Sequence, residues 1–397
     1  MKTSQSFNVY SLIRAAALIV SLNHVTSATA DTLEFPSYLI DLNTKTVTKL
    51  GTLGGGWTVP TDINDTGQVV GSSTMPGDTY PSHAFITGPD GVGMRDLGTL
   101  GRDSSFAYSV NEAGQVVGHS TTPGLTYTYH PFITGPDGAG MRDLRGFDSS
   151  TVYGINNSGQ VVGYSTTPEA NSHAFITGPD GVGMRDLGTL GPSYSQGGSS
   201  QALGINDAGQ VVGDFETPDG YPHAFITGPD GKGMRDLGPL GGTSIGYDIN
   251  EAGQVAGSLT MGVGGTHAFI TGPDGVGMRD LGTLGWFAED DFSRSTGINE
   301  AGQVVGVSRT SGGEYHAFIT GPDGMGMKDL NSLVDLPKGV VLDMAVAINN
   351  VGQVVASGVA LVVPEPQAYA MFLAGLGLIG FMGGQRRCSC GRKNGTR

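Results

Sequence analysis

Cysteine is missing from the first 387 residues of this 397-residue chain; Cys388 and Cys390 both fall in the last ten positions. The body of the protein therefore has no disulfide framework and must be held by packing and hydrogen bonds. Charge is scarce too. Only 14% of residues are charged, and the 36 acidic groups outnumber the 21 basic ones, for a net charge of −15. Phosphate binding needs a basic footprint, so this balance argues against a nucleic-acid partner. No G-x-S-x-G, H-E-x-x-H, Cys/His pair or P-loop occurs in the body, so none of those catalytic centres is signalled. Neither a cofactor nor a metal ion is expected.

Glycine is plentiful, with 68 residues. Scattered glycine would suggest disorder, but here it stands at fixed offsets within a repeat and marks turns and close packing. The repeat is read complete at His83–Gly101, HAFITGPDGVGMRDLGTLG, and returns from His130, His173, His223, His267 and His316. Between copies stands a second constant piece, as in Gly204–Gly213, GINDAGQVVG.

One unit divides into four short strands. Strand a is His-Ala-Phe-Ile-Thr, rich in β-formers. Gly88-Pro89-Asp90-Gly91 makes a turn with Pro at its second position and Gly at its fourth. Strand b is Met94–Leu97. A loop follows, then strand c, ending in Ile63-Asn64 in the first copy. Asn64–Gly67 makes a second turn, with Gly supplying positive φ. Strand d is Gln68–Gly71, and a further loop leads to the next strand a.

Six a–b halves open on the histidine, and a degenerate seventh, Tyr38–Gly54, precedes them. Seven c–d halves end strand c in Asn64, Asn111, Asn156, Asn206, Asn250, Asn299 and Asn349. Four short antiparallel strands repeated about every 46 residues are the pattern of a β-propeller blade. Neighbouring apolar residues in Val69-Val70 and Ala84-Phe85-Ile86 point to opposite faces, as in a sheet packed between two others. The expected fold is all-β, a seven-bladed propeller over residues 31–361; a β-solenoid is the runner-up. Two blade frames remain open. In an a-b-c-d frame each blade is continuous. In a c-d-a-b frame the N-terminal a–b pair completes a blade with the C-terminal c–d pair.

Both ends carry address signals. Lys2 and Arg14 flank the short apolar run Ala15–Leu22, and Ala28-Thr29-Ala30 fits an A-x-A cleavage pattern. Residues 1–30 thus read as a secretory signal peptide, a substrate of the Sec export machinery. At the other end Val363-Pro364-Glu365-Pro366 precedes the apolar run Ala368–Met382, and Arg386-Arg387 closes it. This order resembles the PEP-CTERM sorting signal of Gram-negative bacteria. The resemblance implies that residues 362–387 form a transient inner-membrane anchor helix read by an exosortase, leaving the protein secreted or at the cell surface. In that family the chain usually ends at the basic cluster; here a basic tail, 388–397, follows.

The body in turn resembles the extracellular HAF-repeat family. His83-Ala84-Phe85, Asp96–Gly101 and Ile205–Gly213 carry the match. Members often have Leu-Trp at the positions of Ile86-Thr87, and one copy here reads His130-Pro131-Phe132. The resemblance implies an exported, surface-associated setting and carries no catalytic residue across.

Strand alternation puts the a–b and c–d turns on one rim and the b–c and d–a loops on the other. The turns are nearly constant from copy to copy, while the loops vary. Variable loops on a rigid scaffold are where binding is usually built. Candidate binding residues on that rim are Trp57, Trp286, Phe287, Tyr127 and Tyr221, with the carboxylates Glu289, Asp290 and Asp291. Flat aromatics beside carboxylates suit sugar rings and their hydroxyls, so the leading expectation is a non-catalytic module for polysaccharide or a surface protein. A structural matrix component and a propeller hydrolase or lyase are the alternatives. The repeat histidines are expected to be structural, each hydrogen-bonded between strands of its own blade, and the Arg-Asp pairs structural likewise. Adjacent strand residues such as Arg95 and Asp96 face opposite sides and share no site.

Overall fold

The computed structural model describes residues 32–362, except 78–81, 125–128, 145–149, 168–170, 191–197, 239–241, 262–263 and 286–290. The expected signal peptide lies outside the described residues, as does all but Val362 of the expected anchor. Among the described residues no helix is long and apolar enough to cross a membrane.

Leu33–Leu361 forms one compact unit of seven antiparallel sheets, a seven-bladed propeller. Six blades have the strand order c-d-a-b, as in blade 1: Thr58–Ile63, Val69–Thr74, Ser82–Ile86 and Arg95–Asp96. The seventh is assembled from both ends of the chain. Strands Val340–Ile348 and Gln353–Val362 supply c and d, and Ser37–Asp41 and Thr46–Lys49 supply a and b. Ser37 pairs with Ser357 and Asp41 with Gln353. The frame is therefore c-d-a-b, and the ring closes without a covalent link.

Seven apolar clusters fill the seven spaces between blades. Between blades 1 and 2, Val70, Ala84, Ile86 and Leu97 meet Ala107, Val110, Val116 and Phe132. Between blades 7 and 1, Leu39, Leu50 and Val355 meet Ile63, Val69 and Phe85. Val69 and Val70 thus serve opposite faces of one blade, as the pleat requires. Six phenylalanines, Phe85, Phe132, Phe175, Phe225, Phe269 and Phe318, are fully buried, one in each of blades 1 to 6.

The constant words of the repeat are inter-blade ties. Each Asn that ends strand c donates from Nδ2 to the backbone carbonyl of the equivalent Asn in the next blade. Asn64 donates to Asn111 (3.1 Å), and the sequence runs round until Asn349 donates to Asn64 (3.0 Å). The residue after each Asn forms a second closed ring. Asp65, Glu112, Asn157, Asp207, Glu251, Glu300 and Asn350 each give a backbone N–H to the side chain of the next member. Strand c also meets strand c of the next blade, with Thr61 Oγ1 donating to the Ala107 carbonyl (3.1 Å). Strand c is accordingly innermost and strand b outermost.

The glycine of Gln-Val-Val-Gly has a steric cause. Strand c bulges between Val152 and Gly154, and a Cβ on Gly163 would overlap the Thr151 carbonyl oxygen. Blade 7 alone has alanine at this position, Ala356, and its strand c carries two irregularities instead of one. Gly163→Ala, placed in a blade without that second bulge, is expected to cost about 1–3 kcal/mol, read as a lower urea midpoint. An unchanged midpoint would refute the steric reading.

The Gly-Pro-Asp-Gly turn differs from expectation in one respect. Its left-handed backbone falls on two successive residues, Asp90 (φ 60°) and Gly91 (φ 71°). Asp tolerates this region better than most residues because its short side chain bonds locally.

Candidate functional site

The repeat histidines are internal fasteners. His83 Nδ1 lies 2.9 Å from Asp96 Oδ2 on strand b of the same blade, and His173, His267 and His316 meet Asp186, Asp280 and Asp329 at 2.7–2.9 Å. His223 meets Asp236 at 3.1 Å and His130 meets Asp143 at 3.3 Å. In most blades the same Asp accepts from a backbone N–H two residues on, as from Gly98 (2.7 Å). Each arginine of the Arg-Asp pair instead crosses to the next blade. Arg142 Nη2 reaches the Asp180 carbonyl at 2.9 Å, and Arg95, Arg185, Arg235 and Arg279 bond the equivalent Asp137, Asp230, Asp274 and Asp323. Arg and Asp serve two different ties and share no site. Among the described residues no group of three or more His, Cys, Asp or Glu is placed to hold a metal ion.

On the variable rim the described aromatics are held by backbone and displayed by side chain. Trp57 N–H donates to Thr74 Oγ1 (3.0 Å), and its carbonyl accepts from Thr74 N–H and Ser73 Oγ, both at 3.0 Å. The residue remains 53% exposed. Tyr221 is tied to Thr217 in the same way, by its carbonyl (2.8 and 3.0 Å) and its N–H (3.3 Å), with 58% of the residue exposed. Trp57 belongs to blade 1 and Tyr221 to blade 4, so they stand apart on the ring. Tyr129 and Tyr315 each open a strand a. Tyr315 lies edge-on to Phe292 (5.6 Å), with the Arg309 guanidinium 5.7 Å from its ring centre.

Asp291 is turned inward. It accepts from Thr283 Oγ1 (2.8 Å) and lies 3.5 Å from His267 Nε2. Both carboxylates beside His267 raise that imidazole's pKa, the Asp280 hydrogen bond most of all. Trp286, Phe287, Glu289, Asp290 and Tyr127 lie outside the described residues.

A second cluster occupies the inner two strands of blades 2 to 4. Tyr108 meets His119 edge-on (5.2 Å) and tilts against Tyr153 (5.9 Å), which stands 6.2 Å from Tyr164. Beyond it Gln201 Nε2 donates to Asp214 Oδ1 (2.7 Å). Burial lowers the His119 imidazole to about 4 and pushes the Asp214 carboxyl up to about 7. It likewise raises the Tyr108 and Tyr153 hydroxyls. Sequence reasoning passed this cluster over. A signal lies in the residue after Val-Val-Gly (Val-Ala-Gly in blade 5), which changes freely between blades: Ser72, His119, Tyr164, Asp214, Ser258, Val307.

Residues 362–387 match the PEP-CTERM protein-sorting motif. The motif is the sorting signal for exosortase processing and indicates export to the cell surface in Gram-negative bacteria. No curated protein matches the chain. The solved structures it resembles are of low identity. The β-propeller domain of the Trilobed protease from Pyrococcus furiosus, described as having an open velcro topology, is 12% identical with a TM-score of 0.50, over 78% of this chain and 97% of that one. A puromycin-hydrolysing peptidase from Mycobacterium tuberculosis is 14% identical with a TM-score of 0.50, over 78% of this chain and 55% of that one. A prolyl endopeptidase is 11% identical with a TM-score of 0.51, over 72% and 44%. The chain spans 62% and 55% of the first two structures it resembles. These likenesses support the fold alone.

Proposed function

We propose that this protein is an exported HAF-repeat propeller that serves at the cell surface as a non-catalytic binding module. Its ligand is extracellular polysaccharide, held on the variable rim. The observation that carries this reading is the contrast between the rims. The constant turns spend their polar groups on closed hydrogen-bond rings and blade-to-blade ties. The variable rim holds Trp57 and Tyr221 by backbone alone and leaves their faces to solvent. A rigid aromatic with an exposed face loses little entropy on binding and stacks on the apolar face of a sugar ring.

In this reading residues 1–30 direct Sec export, and the apolar run before Arg386-Arg387 anchors the chain transiently until exosortase acts near Val363–Pro366. Trp286, Phe287, Glu289, Asp290 and Tyr127 are further ligand contacts in the same reading, and Asp291 braces its loop through Thr283 and His267. The test is retention of the full chain on extracellular polysaccharide. The Trp57→Ala, Trp286→Ala double variant should bind at least tenfold more weakly, the scale of losing an aromatic anchor. Equal retention would sink the proposal.

A further inference from the structure

The pseudo-symmetry of the ring exposes a site that one blade junction alone possesses. At most junctions two side chains of one blade grip the Pro-Asp-Gly turn of the next. A glutamine donates to the turn's Asp carboxylate: Gln68 to Asp137 (3.4 Å), Gln353 to Asp90 (3.3 Å), and Gln115, Gln210 and Gln254 to Asp180, Asp274 and Asp323 (3.2 Å each). The arginine of strand b donates to the same Asp's backbone carbonyl.

Blade 6 presents the same two positions to blade 7 as Gln303 and Lys328, but blade 7 has no Pro-Asp-Gly turn. Its a–b turn folds on itself, with Asp41 Oδ1 accepting from the Asn43 (2.8 Å) and Thr44 (3.0 Å) N–H groups. The turn is tied to its own blade through Leu42 N–H and Asn43 Nδ2. Gln303 Oε1 accepts from Asn299 (3.0 Å), which leaves its Nε2 donor to face outward. Between the blades opens a recess of about 420 Å³, lined by Leu42, Lys45, Gln303, Thr320, Lys328 and Leu333 among others. Its volume falls within the range of small-ligand sites.

The third polar group at this junction has its charge reversed. Among the described residues seven non-glycines have positive φ: six are the Asp of Pro-Asp-Gly, and the seventh is Lys45 (φ 58°). A lysine held left-handed is strained by about 1–3 kcal/mol. Where the other junctions bring Gln and Arg against Asp, this one brings Gln303 and Lys328 against Lys45. The recess thus gathers two ammonium groups and an amide donor with no carboxylate among them, on a chain of net charge −15.

We propose that this recess binds an acidic peptide turn of a partner protein, of the Pro-Asp-Gly kind. Its Asp carboxylate takes the bond that Gln gives elsewhere in the ring, its Asp carbonyl takes from Lys328 the bond that Arg gives elsewhere, and Lys45 adds a second cation. The probe is acetyl-Gly-Pro-Asp-Gly-amide, titrated into the full chain and followed by NMR shift changes. It should bind at least tenfold more tightly than acetyl-Gly-Pro-Asn-Gly-amide, and binding should weaken as salt screens the lysines. Lys45→Gln with Lys328→Gln should abolish the discrimination. Both lysines are exposed, and an unchanged melting temperature would show the variant folded. Equal binding of the two peptides overturns the proposal, as does undiminished discrimination in the folded variant. Binding of an oligogalacturonate in place of the peptide would also overturn it, by assigning the carboxylate to a glycan. Peptide binding on the constant rim is read separately from polysaccharide retention on the other, so either can fail alone.

Discussion

A chain lacking residues 37–50 is expected to lose its cooperative melt and to associate through its last strand. Those residues supply the a and b strands of blade 7, and strand Gln353–Val362 pairs with Ser37–Asp41 on one side and Val340–Ile348 on the other. Deletion strips the backbone groups of Gln353–Ser357 of their partners and creates a sheet edge open to another chain. It also removes apolar groups from two inter-blade clusters at once. Ile40 packs with Val305, Ile319 and Val354, while Leu39 and Leu50 pack with Val69 and Phe85. These three residues are at most 4% exposed, and their burial stabilises the fold by roughly 5–9 kcal/mol. That is comparable to the whole stability of an ordinary domain, about 5–15 kcal/mol. Thermal melting and size-exclusion chromatography read the effect, and a peptide spanning residues 37–50, added in trans, should restore a sharp melt. A monomeric deletion variant that melts as sharply as the intact chain would show that six blades and an open half suffice.

The closure that this experiment probes was the part of the fold least legible in the sequence. Strand count, blade count and two-faced burial follow from local pattern: Val69-Val70 and Ala84-Phe85-Ile86 each announce which faces they serve. The blade frame does not, because seven a–b halves match seven c–d halves whichever way they are grouped. The deciding contacts, Ser37 with Ser357 and Asp41 with Gln353, join the two ends of the array, and no local preference encodes them. The Arg-Asp pair shows an intermediate case. Alternation correctly parts Arg95 from Asp96, and a bond from His83 to a strand of its own blade was expected. That Arg95 holds the backbone of Asp137 in the following blade was not foreseeable, since the partner is a main-chain carbonyl placed by a left-handed turn. The cluster around Tyr153 escaped notice for a different reason. Repetition draws the eye to constant words, whereas His119, Tyr164 and Asp214 occupy a strand-d position that the repeat leaves free, and Tyr108 and Tyr153 a free position of strand c.

Asp214→Asn is expected to stabilise the protein at pH 8 by about 2–4 kcal/mol and to change nothing at pH 4. Asp214 is 9% exposed, and burial raises its carboxyl from the ordinary 3.8 to about 7, offset only in part by the bond from Gln201. A carboxyl that holds its proton more tightly when folded than when unfolded contributes stability in full below the unfolded pKa. That contribution is lost as pH rises through 7, where the folded chain must bury a charge or give up a tight proton. Asparagine keeps an acceptor for Gln201 Nε2 and has no proton to lose, so the variant escapes the loss. His119 acts in the opposite sense. Its folded pKa of about 4 lies below the ordinary 6.5, so its contribution is full above 6.5 and disappears as pH falls through 4. The wild-type profile between pH 4 and 7 therefore superposes opposed slopes, and the difference between wild type and variant isolates the single carboxyl. Urea denaturation at pH 4, 6 and 8 supplies that difference. A stability gap that stays constant across the three would mean that Asp214 is ionised in the fold throughout, and that the cluster on the inner strands of blades 2 to 4 holds its charge instead of excluding it.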